Sequence, residues 1–411
     1  MAKLSSSNGI EKFPKLRFPE FKEPYEQCHI GDIYAERIER GASNMELLSV
    51  TMSDGVIPRS EIEDKDNSSQ DKSNYKIVHK GDMVYNSMRM WQGANGISPY
   101  DGIVSPAYTV LMPKQRINNG YFAALFKNIN MINEFRKNSQ GMTSDTWNLN
   151  YPQIKTIKIR IPSIYEQEKI SEMLGILEMR IASQVQLIDN LKKYKRGLSN
   201  KLFEDYANNW SIANFADVFK ILQNNTFSRA ELTCEETEIL NIHYGDVLIK
   251  YGDILDLSKV CDVPFIKNNI APKRYSETSY LKNGDVVIAD TAEDYTVGKT
   301  IEIFSASGKR ILSGLHTIPC RPLISFEAKY LGYYLNSYSF RKQILPLIQG
   351  TKVSSISKYE LQKVKVKYPE QKEQKRIVSI LSLIDEKICI AEHQLTALKI
   401  CKDGLLQQMF I

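Results

Sequence analysis

The chain has 411 residues, 42% of them hydrophobic and 25% charged, and a formal net charge of +6 at pH 7. This is the composition of an ordinary globular protein, too long for one core, with no apolar run near the ~18 residues that a membrane-crossing helix needs. The surplus of positive charge favours a polyanionic partner only mildly. No charged-then-apolar leader opens the chain, and its six cysteines, at 28, 234, 261, 320, 389 and 401, contain no C-x-x-C pair. A cytoplasmic protein without a zinc ribbon or a disulfide framework is therefore expected.

Residues 1–21 are expected to form an extended N-terminal segment, which includes "PKLRFPEF" at 14–21. A first globular region, 22–162, follows. Residues 75–113 carry short strand-like runs, "YKIVHKGDMVYNSM" and "SPAYTVLMP", separated by a loop rich in Gly and Asn. Phe122, Leu125, Phe126, Ile129, Ile132 and Phe135 then recur at helical spacing and predict one helix from Tyr121 to Asn138. After the polar loop "SQGMTSDTWNLN" comes "TIKIRIP" at 156–162. It sets Ile157, Ile159 and Ile161 on one face and Lys158 and Arg160 on the other, as a half-buried strand closed by proline does. From 163 to 206 the apolar period changes from 2 to 3.5. A second globular region at 207–369, closing on "KVKVKYP", and a second such helix at 370–411 repeat this order.

The two halves are copies. "PSIYEQEKI" at 162–170 and "PEQKEQKRI" at 369–377 share Pro, Glu-Gln and Ile at an offset of 207 residues. The offset continues through Leu174/Leu381, Ile181/Ile388, Leu191/Leu398, Lys195/Lys402, Gly197/Gly404, Leu198/Leu405 and Phe203/Phe410. Upstream, Tyr121 answers Tyr330, Gln140-Gly141 answers Gln349-Gly350, and Lys80-Gly81-Asp82 answers Asn283-Gly284-Asp285. Such self-similarity marks an internal duplication.

Ile170, Leu174, Leu177, Ile181, Gln184, Ile188, Leu191, Lys195, Leu198 and Leu202 form a heptad seam. Ile377, Leu381, Ile384, Ile388, Ala391, Leu395, Leu398, Lys402, Leu405 and Met409 form the second. One apolar seam in water needs a partner. Antiparallel pairing of the two helices is the expected solution, because it gives a pseudo-two-fold repeat with globular regions at opposite ends of a rod. Gln184, Lys195 and Lys402 would set the register. A coiled coil that only dimerises the chain is the plainer alternative. The expected fold class is α+β, two globular regions of mixed strands and helices joined by two long helices.

Catalytic patterns are lacking. "VGKT" at 297–300 resembles the end of a phosphate loop, but Glu293 stands where the first glycine would be. "EIEDK" at 61–65 lacks the upstream strand of a nuclease site, and His29, His79, His243, His316 and His393 stand apart. No methyltransferase N-P-P-aromatic tetrad occurs, no cofactor or metal is expected, and the chain reads as a binding protein. Residues suited to base edges and phosphates gather in the loops. In the first half these are Asn86, Arg89, Trp91, Gln92, Asn95, Thr143, Ser144, Thr146 and Trp147. In the second they are Thr291, Glu293, Asp294, Tyr295, Lys299, Lys352, Ser354 and Ser355.

The doubled Pro-x(3)-Glu-Gln-x-x-Ile frame, its order relative to the globular regions, and "PKLRFPEF" together resemble the specificity subunit of Type I restriction-modification systems. The resemblance implies two target recognition domains, each reading half of an interrupted double-stranded DNA sequence. It implies two methyltransferase subunits docked on the helical spacer, restriction subunits joining through that complex, and no catalysis by this chain. A fused restriction-methylation enzyme, or a coiled-coil adaptor that never touches DNA, are the rival readings.

Overall fold

The computed structural model describes residues 13–41, 44–52, 55–63, 68–143, 146–204, 210–268, 275–350 and 353–411. Two compact units divide the chain: residues 1–185 with 393–411, and residues 186–392. Each long helix, Ile164–Glu204 and Gln371–Gln408, gives its N-terminal half to one unit and its C-terminal half to the other.

In the first unit, strand Glu26–His29 pairs antiparallel with Lys158–Ile161, forming a two-stranded ribbon ahead of the first long helix. A four-stranded antiparallel sheet runs in the order Tyr34–Glu36, Tyr108–Pro113, Met83–Asn86, Asn95–Ile97. Strand alternation splits its side chains. Met83, Tyr85 and Leu111 join a core with Phe122, Phe126 and Phe135, while Val84 and Val110 pack with Leu48, Val56 and Val78 on the other face.

The second unit repeats the plan. Ser211–Asn214 pairs with Lys365–Tyr368. The corresponding sheet runs Phe219–Ile221, Thr317–Pro322, Val286–Ala289, Thr300–Phe304, with Ile254–Asp256 added in parallel at its edge. A further four-stranded sheet, Leu232–Thr233, Phe265–Ile266, Ile239–Ile242 and Arg310–Ser313, enlarges this copy.

The helix predicted over 121–138 is broken. It forms as Asn119–Leu125 and Ile129–Asn138, because the Asn128 side chain accepts from Asn130 N at 2.8 Å and starts a new helix. Asn128 also donates to Leu406 O at 2.5 Å, anchoring the end of the second long helix in this unit.

Within each unit the long helices run antiparallel. In the first, Gln184 bonds Gln394 and Lys402 pairs with Glu178. In the second, Lys192 pairs with Glu392 and Lys195 with Asp385, so partners fall as numbers rise. Every polar seam residue thus has a side-chain partner, Lys195 having Asp253 at 2.6 Å as well. Ile170, Leu174, Ile188, Ile377, Leu381, Ile384 and Ile388 are buried, and Leu177, Ile181, Leu191, Leu198, Leu395, Leu398 and Leu405 are half-buried. Ile170 and Leu174 pack with Leu406, Met409 and Phe410; Ile377 and Leu381 pack with Leu198, Leu202 and Phe203.

The glutamine of the repeated frame does the same work twice. Gln167 donates to Pro162 O at 3.0 Å and accepts from Asn118 N at 3.1 Å. Gln374 donates to Pro369 O at 2.9 Å and accepts from Glu327 N at 2.9 Å. The carboxamide supplies both a donor and an acceptor at this spot, where a glutamate carboxylate would only accept.

Candidate nucleic-acid interface

In each unit a loop after the short helices folds back beside the end of a central strand, through the same two sets of backbone bonds. Gln140 and Asn148 exchange hydrogen bonds, as do Gln349 and Ser355. Leu149 N then donates to Ser87 O, and Ile356 N to Asp290 O. The Gln-Gly pair shared by both copies is explained here. Gly141 at φ +145° and Gly350 at φ +110° lie so close to Thr146 O and Val353 O that a Cβ would sit 2.6 and 2.0 Å away.

The first loop cluster is built around two indoles. Trp91 and Trp147 meet edge to face at 5.3 Å, and the Arg136 guanidinium lies 5.5 Å over Trp91. Trp91 Nε1 donates to Met88 O, and Asn86 Oδ1 accepts from Met88 N, fixing the turn that presents exposed Arg89. Gln92 is half-buried. Thr146 donates to Thr143 O at 2.9 Å, and both threonines are exposed. Met142, between Gly141 and Thr143, is 99% exposed.

The second cluster is more polar. Thr291–Ala292 pairs antiparallel with Ser354–Ser355. Thr291 donates to Asp290 Oδ1 at 2.7 Å and lies 3.3 Å from His316 Nδ1. Beyond it, Asp294 Oδ1 accepts from Thr296 N, and Arg341 donates to Tyr295 O and Val297 O. This bracing leaves Glu293 exposed and Tyr295 83% exposed at the tip.

Two expected contact residues serve the fold instead. Asn95 is 0% exposed, and its amide donates to Gly93 O, so it shapes the loop from within. Lys299 spends its ammonium on Leu248 O and Tyr251 O at 2.9 and 2.8 Å, beside the end of helix Tyr244–Ile249, and burial lowers its pKa. Ser144 and Lys352 lie outside the described residues. Arg136, Met142 and His316 join the clusters without having been singled out. Arg136 sits on a helix, Met142 is apolar within a polar run, and His316 is isolated in sequence.

Among the described residues no group of three or more His, Cys, Asp or Glu could hold a metal ion, and no helix is long and apolar enough to cross a membrane. Repeated scaffold bonds under unlike loop clusters define a two-copy recognition protein. Residues 24–193 and 207–399 match the family model described as the Type I restriction modification DNA specificity domain, and the chain belongs to that family.

The chain is 24% identical over 343 residues to the Type I restriction enzyme MjaVIII specificity subunit of Methanocaldococcus jannaschii, covering 77% of this chain and 75% of that protein. It is 22% identical over 354 residues to the putative type I restriction enzyme MjaX specificity subunit of the same organism, covering 80% and 77%. Its fold is similar to the Type I restriction-modification S subunit from M. genitalium, with TM-score 0.54, 14% identity, and 97% and 99% of the two chains covered. It is also similar to a chain solved in work on complex assembly and conformational transition of the type I R-M system, with TM-score 0.59, 16% identity, and 94% and 98% covered.

Proposed function

We propose that this chain is the non-catalytic DNA-recognition subunit of a cytoplasmic Type I restriction-modification complex, with residues 22–162 and 207–369 as its two target recognition domains. Each domain reads one half of an asymmetric double-stranded DNA site, and the helices at 163–206 and 370–411 set the spacer between the halves. The same helices receive two methyltransferase subunits, and restriction subunits join through that assembly. The observation that most supports this reading is the division inside the duplication. The bonds of Gln167 and Gln374 repeat atom for atom, whereas the loop clusters differ in nearly every side chain. Identical readers would favour a palindrome, and unlike readers an asymmetric site.

Of the first cluster, Asn86, Arg89, Trp91, Gln92, Thr143, Thr146 and Trp147 remain candidates for DNA contact. Thr291, Glu293, Tyr295, Ser354 and Ser355 remain so in the second. Exposed Arg89 suits a guanine edge, and the threonines and serines suit phosphate oxygens. The test is co-expression with cognate methyltransferase subunits, followed by modified-base mapping of the host genome. One interrupted, asymmetric motif with a fixed spacer is expected; a contiguous or palindromic motif contradicts the reading. Purified chain given S-adenosylmethionine and DNA should transfer no methyl group.

A further inference from the structure

The turn that joins strand Arg310–Ser313 to strand Thr317–Pro322 carries a histidine in a conformation few side chains adopt. His316 has φ +55°, in the left-handed region that most residues avoid. The turn around it is stiff. Ser313 and Thr317, both 0% exposed, bond each other at 2.6 Å, Thr317 donates to Gly314 O at 2.5 Å, and Asp290 N donates to His316 O at 3.1 Å. The His316 ring packs edge to face on Tyr244 at 5.3 Å, yet the side chain stays 47% exposed.

The bonds beside the ring decide which nitrogen carries the proton. Thr291 gives its hydroxyl hydrogen to Asp290 Oδ1 at 2.7 Å, so toward His316 Nδ1, 3.3 Å away, its oxygen can only accept. Asp290 Oδ1 itself lies 3.5 Å from the same nitrogen. Two acceptors thus face Nδ1 and hold the hydrogen there, which leaves Nε2 of the neutral ring as an acceptor. Nε2 has no hydrogen-bond partner among the described residues.

The first unit does not repeat this arrangement. There Ser87 N donates to Ala107 O as Asp290 N does to His316 O, and Asn86 pairs with Tyr108 as Ala289 does with Thr317. Ser87, Met88 and Ala107 therefore stand where Asp290, Thr291 and His316 do, and a methyl group replaces the imidazole. We infer that His316 is a specificity-determining residue of the second half-site, its Nε2 accepting from the exocyclic amino group of an adenine or cytosine in the major groove. The assignment rests on the DNA-reading role proposed above. Adenine N6 and cytosine N4 are the donors that base edges present in that groove, which is wide enough for a two-stranded ribbon such as Thr291–Ala292 with Ser354–Ser355 beside the ring. A stiff mount is what a contact through one atom requires.

The test is methylation by the assembled complex, the full chain with its cognate methyltransferase subunits. Its substrates are synthetic duplexes that carry the mapped motif, with each pair of the second half-site varied in turn. His316→Gly keeps the backbone geometry, since glycine takes φ +55° freely, and should cut discrimination at one pair of that half-site about fivefold, the worth of one hydrogen bond. His316→Arg turns the acceptor into a donor and should make guanine the preferred base at the same position. Both variants should leave the first half-site unchanged. Wild-type preference at every pair in His316→Gly, or no modification of any duplex by it, overturns the contact. A His316→Arg chain that still prefers the wild-type base, or a change in the first half-site, overturns it as well. A wild type with no interrupted motif would instead refute the DNA-reading role, which separates the two failures.

Discussion

Gln167 and Gln374 make matching bonds in the two units, whereas Glu166 and Glu373, one residue earlier, have parted company. Glu166 is buried, takes both Arg17 donors at 2.8 and 2.7 Å, and accepts from the Tyr25 hydroxyl. Arg17 also lies 5.1 Å over the Tyr25 ring, and Leu16 N donates to Gln408 O, so residues 16–25 close over the helix start. Glu373 pairs with Arg376 one turn on, at the surface. A duplicated side chain thus keeps its role where backbone groups have no other partner, and drifts where a charge is free to find one.

That contrast yields its own tests, best read as amide protection over 164–170 and 371–377, since a two-unit chain need not unfold in one step. Arg17→Ala leaves a buried carboxylate without its cation and should cost about 3–5 kcal/mol of local stability. Arg376→Ala removes an exposed pair and should cost less than ~1 kcal/mol. Equal losses would erase the distinction.

A second asymmetry lies in the central sheet. Glu302 is buried and accepts from Lys329 N at 2.6 Å and Gly332 N at 2.9 Å, and burial pushes its pKa up to about 7 from an ordinary 4.5. The folded state therefore holds this proton more tightly than the unfolded chain does. Its contribution is full below the unfolded value of 4.5 and is lost as pH rises through about 7, a change of about 3 kcal/mol. The stability of the wild type minus that of Glu302→Gln should fall by about 3 kcal/mol over that window, because only the wild type titrates there, as measured by denaturant unfolding of the second unit. A difference that is constant with pH would contradict it.

Gln167→Ala and Gln374→Ala should each cost about 1–3 kcal/mol, because each leaves a backbone N–H and a proline carbonyl unpaired. The two losses should agree, and a large disparity would mean that the copies do not share this joint. Trp147→Ala is expected to remove about 0.5–1.5 kcal/mol of ring pairing beyond lost area. Its consequence should fall on recognition of one half-site alone, seen as relaxed modification at that half.

The scaffold was legible in sequence because its signals are periodic. The 3.5-residue seam, the alternation of "TIKIRIP" and "KVKVKYP", and the glycines after Gln140 and Gln349 each state a geometric need. The loop clusters were legible only in part. Trp91 and Trp147 were both singled out, yet their contact, across 56 positions, depends on how the sheet and the Ile129–Asn138 helix pack. Asn95 and Lys299 looked like surface donors because residue type does not report burial, and one capping side chain, Asn128, was enough to break a helix whose apolar spacing ran on.

The most direct trial of two unlike readers on one repeated scaffold is to exchange residues 22–155 for those of another family member, and then map modified bases genome-wide in cells that also make the methyltransferase subunits. A new first half-site with the second half and the spacer unchanged is the predicted result. Alteration of both halves would contradict the account.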